Sequence, residues 1–308
     1  MKHYSVMLNE IIESLNIKPD GIYVDATLGY AGMSSKILEK LNDNGLLIGI
    51  DQDEEARAYS DNLLKKIRNN YKIVDSNFVE LKNILEELNI EKVDGIIFDL
   101  GFSSPQIDDE KRGFSFMKDA PLDMRMNLSS KLTAAYVVNN YKEDDLVNYF
   151  YEYGEEKLSK VIARNIVNIR KEKEIKTTIE LVEIIKASVG ANYFYKNHPE
   201  RKIFQALRII VNNELNVLES VLPDAIDALK TGGRLSVITF HSLEDRIVKN
   251  VFKKYSEVNE IFKGLPNIPD EYKPKIKIIN KKPIEASEEE LKENSRSHSA
   301  KLRIIERL

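Results

Sequence analysis

Acidic and aromatic residues stand at the ends of the chain's first four apolar runs, and their spacing suits the capture of a nucleoside. Asp25 lies near the end of the run 21–27 and precedes the turn Leu28-Gly-Tyr-Ala-Gly32. Asp51 closes the run 45–51, Asn77 and Phe78 follow the run 71–75, and Asp99 lies at the end of the run 93–100. Gly29 and Gly32 permit a tight turn and close backbone approach. A carboxylate at Asp51 can accept both hydroxyls of a ribose. Phe78 is placed to border an adenine ring.

The phosphate-binding fingerprints are missing. Gly29-Tyr-Ala-Gly32 lacks the second glycine of G-x-G-x-x-G, and no G-x-x-x-x-G-K-[ST] occurs. S-adenosylmethionine has a ribose and an adenine but no phosphate, so it fits better than a dinucleotide. Its methionine end needs backbone donors for a carboxylate and acceptors for an amine, which the turn and Asp25 can offer. Asp99 and the turn 101–105 suit an exocyclic amine as methyl acceptor. The lone pair of such an amine is delocalised into its ring, so a nearby acceptor must orient its hydrogens. Positioning for in-line displacement then supplies most of the acceleration.

The elements that must hold these residues follow from the same runs. Short apolar runs alternating with helical spacing predict βαβ units and a parallel sheet. Helices are expected over 34–41, 54–67 and 79–88. From 108 to 201 helical spacing continues without a strand, over 132–140, 143–153, 156–171 and 178–188. Thr177-Thr-Ile-Glu180 offers a capping box. A long helix over 203–229, stopped at Thr231-Gly-Gly233, leads to a strand at 234–240 and a helix at 243–255. Strands over 275–282 and 301–306 are candidates for an antiparallel edge pair. The expected fold is a doubly wound α/β sheet, mostly parallel, in a discontinuous domain 1–107 and 203–308, with an all-helical insert at 108–202.

Composition narrows the chemistry. The chain has 308 residues, no cysteine and four histidines, His3, His198, His241 and His298, without metal-ligand spacing. Disulfides, thiolate sites and a transition metal are not expected. No run approaches the ~18–20 apolar residues of a membrane helix, and no export signal opens the chain, so a cytoplasmic location is expected. The net charge of −4 means that any nucleic-acid contact must be local. Lys111, Arg112, Lys118, Arg125 and Lys131, and further on Lys196, Arg201, Lys202 and Arg208 beside Tyr193, Phe194 and Tyr195, are the candidates. Lys160, Arg164, Arg170, Lys171 and Lys173 are diluted by neighbouring acids. For each of these residues a solvated helical face is the competing reading.

Longer motifs carry a resemblance. They include Asp99-Leu-Gly-Phe-Ser-Ser-Pro-Gln106, Arg112-Gly-Phe-Ser-Phe-Met117, Pro121-Leu-Asp-Met-Arg-Met126, Tyr153-Gly-Glu-Glu156, Phe204-Gln-Ala-Leu-Arg208, Asn212-Asn-Glu-Leu215, Thr239-Phe-His-Ser-Leu-Glu-Asp-Arg246 and Ser299-Ala-Lys-Leu-Arg303. Together they resemble the bacterial 16S ribosomal RNA cytosine-N4 methyltransferase family, RsmH/MraW. The resemblance implies a class I S-adenosylmethionine-dependent methyltransferase fold and an RNA-substrate insert. It implies methylation of a cytosine in the decoding region of the small subunit. It also implies cofactor contacts at Ala31, Gly32, Met33, Asp51, Phe78, Asp99 and Gln106. The catalytic assignment of Asp99 comes from its chemistry rather than from the resemblance. Four positions depart from the family: Ala26 and Ala31 stand where glycine is usual, Met33 where histidine is usual, and His298 where an arginine is common. Ala31 is tolerable at negative φ, and Met33 can serve only through its backbone. Two alternatives stay open: another amino-methyltransferase, such as one acting on adenine N6 in DNA, and a ribosome-assembly factor without turnover. The oligomeric state is open, a homodimer included.

Overall fold

Alternation along apolar strands sorts their side chains onto two faces, and helices cover both. The computed structural model describes residues 5–101, 109–258, 260–262, 264 and 267–308. Its sheet contains β1 (Ile22–Asp25), β2 (Leu46–Asp51), β3 (Tyr71–Asp75), β4 (Val93–Asp99), β5 (Leu229–Thr239), β6 (Ile276–Ile278) and β7 (Lys301–Arg307). The order is β3-β2-β1-β4-β5-β7-β6. β1 to β5 run parallel, and β7 is antiparallel to both β5 and β6. Strand order reverses between β1 and β4, so a ligand crevice belongs at the carboxyl ends of those two strands.

The helices are α1 (Leu8–Ser14), α2 (Gly32–Lys40), α3 (Glu54–Leu64), α4 (Leu81–Glu87), α5 (Ala134–Asn140), α6 (Glu143–Glu152) and α7 (Ser159–Ile169). They continue with α8 (Thr178–Val189), α9 (Ala191–Asn197), α10 (Pro199–Asn212), α11 (Glu214–Ala228), α12 (Ser242–Ser256) and α13 (Glu288–Glu293). Tyr23, Leu47, Ile97, Ile238 and Leu302 pack with Ile11 of α1, Ile37 and Leu38 of α2, and Leu64 of α3. Their chain neighbours Val24, Ile48, Ile96 and Val237 pack on the other face, with Leu81 of α4, Leu222 of α11 and Phe252 of α12. Sequence neighbours thus divide between the faces, as the strand repeat of two requires. Each large apolar side chain so buried contributes about 1.5–3 kcal/mol. Arg303 of β7 holds α12 by a bidentate pair with Asp245, at 2.6 and 3.0 Å.

The chain divides into two compact units, Met1–Gly101 with Leu215–Leu308, and Phe102–Glu214. The second is helical and has its own core, including Leu122, Val137, Leu146, Phe150, Ile162, Ile166, Leu181, Ile185 and Leu207. Its α8 begins at the capping box of Thr177 and Glu180 that the sequence predicts. The unit boundary falls after α10 rather than at 202/203, because Ile203, Phe204 and Leu207 of α10 belong to the helical core.

Other expectations need correction. The single helix over 203–229 is two helices, broken at Asn213, whose φ is 52°. Apolar periodicity runs through the break, and asparagine tolerates the left-handed region. The break is held by Asn212, which donates to Met124 O at 2.8 Å and accepts from Met126 N at 2.7 Å. Thr231-Gly-Gly233 is not a helix stop but an irregularity inside β5. Register shifts there from Val93↔Leu229 to Gly95↔Arg234, and Gly232 has a φ of 78°. Helices α1, α9 and α13 were not expected.

Candidate cofactor and methyl-transfer site

The site is assembled by polar groups that tie the ends of β1, β2 and β4 together. Asp99 N donates to Thr27 Oγ1 at 2.7 Å, which joins the end of β4 to the turn after β1. Gly29 N donates to Asp51 Oδ2 at 2.7 Å, and Asp53 N to Asp51 Oδ1 at 2.8 Å. One carboxylate therefore closes the first turn and shapes the second. Ser60 Oγ of α3 donates to Gly29 O at 2.8 Å. Gly29 holds a φ of 49°, which a residue with a Cβ resists. Gly32 is needed for a different reason: a Cβ there would lie 1.9 Å from Ser5 Oγ.

Asp25 does not face a ligand. It is 2% exposed, and both carboxylate oxygens hold the turn, accepting from Ser34 Oγ at 2.7 Å and Thr27 N at 3.2 Å. Burial pushes its carboxyl up to about 6, against the hydrogen bonds from Ser34 and Thr27. Burial likewise raises Asp51, although Asp53, Gly29 and Arg57 oppose it. Asp99 is pushed furthest, to about 8, by burial first and then by the charges of Asp25 and Glu244. Its Oδ1 is shut away from solvent and has no hydrogen-bond partner among the described residues. A buried oxygen left bare costs about 1–3 kcal/mol, so a ligand that brings a donor to it recovers that cost.

Glu244 owes its place to the first turn of α12. It accepts from Phe240 N at 2.7 Å and His241 N at 3.3 Å, in a capping box with His241. Phe78 follows β3 in a short 3-10 helix, edge-on to Phe98 with ring centroids 5.4 Å apart. It is half-buried. Gln106 and the turn 103–105 lie outside the described residues.

A model of the MraW methylase family matches residues 1–308. The chain belongs to the MraW methylase family. Its fold is that of the class I methyltransferases. It is also similar to a candidate rRNA methylase from Clostridium thermocellum, with 11% identity, 99% of each chain covered and a TM-score of 0.46. An rRNA methylase from Streptococcus thermophilus shares 12% identity over 98% of this chain and 93% of that one, with a TM-score of 0.43. A candidate methyltransferase from Streptococcus mutans in complex with SAH shares 11% over 99% of each, with a TM-score of 0.45. At such distances these structures assign nothing to the chain, and the family rests on the match over 1–308.

The cofactor of this methylase is S-adenosylmethionine, and the residues fit it. Asp51 and Asp99, both raised by burial, lie at the ends of β2 and β4. Such a pair repels a pyrophosphate and favours a cationic ligand. S-adenosylmethionine carries a sulfonium and an ammonium. Its carboxylate suits the N-terminus of α2, where Ala31 gives no side-chain cap and the first-turn N–H groups lack intrahelical acceptors.

The turn modifies the expected contacts. Ala31 has a φ of 56°, not the negative value that would make it easy. Its N–H is spent on Leu28 O at 2.8 Å, so it closes the turn instead of reaching a ligand. Its methyl is fully buried with Leu28 and Met33, which offsets part of the strain. Met33 is also buried, its side chain packed in the α1–α3 core. Neither the Ala31 nor the Met33 side chain is open to a ligand. Sequence reasoning missed Thr27, Ser34, Ser60 and Glu244. Their signal was weak, since each acts on a partner distant in sequence.

Several expected basic contacts are used inside the helical unit. Arg112 is 7% exposed and donates to Arg125 O at 3.0 Å and Met126 O at 2.9 Å. Arg125 grips Asp123 at 2.8 and 2.7 Å, and Arg208 grips Glu214 at 2.8 Å through two nitrogens. Lys111, Lys118, Lys131, Lys196 and Arg201 remain exposed. Among the described residues no helix is long and apolar enough to cross a membrane.

Proposed function

We propose that this methylase transfers the methyl group of S-adenosylmethionine to the exocyclic N4 amine of a cytosine in the decoding region of 16S ribosomal RNA, in the cytoplasm. The observation that carries the reading is Asp99 Oδ1, a bare buried acceptor at the strand-order reversal. An exocyclic amine offers the donor it lacks. The long motifs around it are those that resemble the cytosine-N4 family. S-adenosylmethionine supplies the methyl as part of a sulfonium cation. Asp51 holds the ribose, Phe78 borders the adenine, and Gly32 and Met33 donate backbone N–H groups to the methionine carboxylate. Gln106 is a further cofactor contact by family resemblance.

The target base must leave its stack to reach Asp99. Asp99 Oδ1 then accepts one N4 hydrogen and turns the nitrogen lone pair toward the methyl. Bound S-adenosylmethionine would supply the methyl group, and Asp99 would take the proton that the amine gives up. A carboxyl raised to about 8 is a better base near neutral pH than an ordinary aspartate. The helical unit holds the RNA within the small subunit through its exposed lysines and arginines.

The test is to incubate the protein with labelled cofactor and small subunits from a strain lacking the gene. Label in one 16S cytosine at N4 is expected. Label only in DNA would favour the adenine-N6 reading. Absence of cofactor binding at millimolar concentration would favour an assembly factor without turnover.

A second expectation concerns protons. At pH 7 the carboxyl of Asp99 is largely protonated, and a cationic ligand favours its ionised form. Cofactor binding should therefore release up to about one proton, and affinity should rise between pH 6 and 7.5. Calorimetry at pH 7 in phosphate and in Tris measures this. Equal binding enthalpies in the two buffers would refute it.

A further inference from the structure

Three consecutive aromatics, Tyr193, Phe194 and Tyr195, lie on α9, and the structure gives each a different fate. Tyr193 turns inward and donates its hydroxyl to Glu156 Oε1 at 2.6 Å. Glu156 is fully buried, and its other oxygen lies 3.2 Å from Lys202 Nζ of α10. Phe194 is 8% exposed and belongs to the helical core. Tyr195 is 63% exposed.

A seven-residue helix is not stable alone, so these buried contacts fix α9 and with it the direction of Tyr195. Phe194 packs against the Tyr195 ring at right angles, with centroids 5.4 Å apart. Lys186 of α8 lies beside Tyr195, its Nζ 5.5 Å from the ring centroid. Lys196 and Arg201 are exposed nearby in sequence, and Glu183 is the acid that Lys186 senses.

We propose that Tyr195 is a stacking platform for an unpaired nucleotide of the RNA substrate, with Lys186 beside it for the adjoining phosphate. The proposal rests on the reading that the substrate is RNA, and it adds a nucleotide subsite on the helical unit. An exposed aromatic ring held rigidly beside a cation matches a base and its phosphate. A paired base keeps its faces covered, so the subsite selects single strands.

The chain contains no tryptophan, so Tyr195→Trp supplies a lone fluorescent reporter at this position. Titration with a mixed-sequence 12-nucleotide RNA should quench its emission to saturation, and the duplex of the same sequence should not. Tyr195→Ala should weaken single-strand binding by about 5- to 150-fold. Its KM for small subunits should rise with kcat and cofactor affinity unchanged. Lys186→Gln should lower the slope of log affinity against log salt by about 0.7, whereas Tyr195→Ala should leave that slope alone. Normal RNA binding by Tyr195→Ala, or unmoved emission from Tyr195→Trp at saturating RNA, overturns the subsite and leaves the methyl-transfer reading intact. A wild-type protein that neither binds the RNA nor labels small subunits overturns that reading itself.

Discussion

Asp99→Asn should lower methyl transfer by about 100- to 10,000-fold while leaving RNA affinity unchanged. The substitution keeps an oxygen near the amine but removes the charge and the proton acceptor. It should also stabilise the protein. The Asp99 carboxyl is raised to about 8 by burial and by Asp25 and Glu244, above its unfolded value. The folded state therefore binds this proton more tightly than the unfolded chain does. That contribution is fully present below about pH 4 and is lost as pH rises through about 8. Asparagine avoids the buried charge, so the gain in Tm should be largest at pH 8 and small at pH 5. A gain of about 1 kcal/mol would appear as about 2–4 °C. Single-turnover rates and melting curves at both pH values are the measurements. A loss of RNA affinity in proportion to rate would make Asp99 a positioning residue, and a lower Tm at pH 8 would refute the buried-charge account. Stability given up for a catalytic group is a recurrent trade.

Asp51→Ala should weaken S-adenosylmethionine binding by about 1.5–3 kcal/mol, roughly 10- to 150-fold, through lost charge-assisted bonds to the ribose. The carboxylate has a second duty, because Gly29 N and Asp53 N both donate to it. Alanine leaves both donors without their acceptor, so Tm should fall as well. Asp51→Asn retains one acceptor oxygen and nearly the same volume. It should keep most of the Tm and still bind cofactor more weakly than wild type. Calorimetric titration alongside melting separates the two duties. Unchanged cofactor affinity in Asp51→Ala would remove the ribose assignment.

The sheet was legible because its strands end on acids and alternate with helices of sufficient length. The expected strands and their antiparallel closing pair are present, and so is the capping box at Thr177. What misled was local ambiguity. Asn213 interrupts a helix without interrupting its apolar period, and Thr231-Gly-Gly233 can end a helix or distort a strand. Basic residues were the least readable. Arg112, Arg125 and Arg208 have the composition of an RNA face, yet each is used on a carbonyl or carboxylate of its own unit. Charge on a one-dimensional string does not report which partner the fold brings to it.

The turn after β1 shows the division most clearly. The sequence by itself pointed to a nucleoside cofactor without phosphate, since residue types and order suffice for that. It also carried the motifs of the MraW family from end to end. Only the tertiary structure decided how the turn after β1 is built. Ala31 adopts positive φ, its N–H goes to Leu28, and Met33 and Asp25 turn into the protein. The reason is physical: a hydrogen bond or a buried charge is a relation between groups distant in sequence. Thr27 with Asp99 and Gly29 with Asp51 meet only when parallel strands bring their ends together.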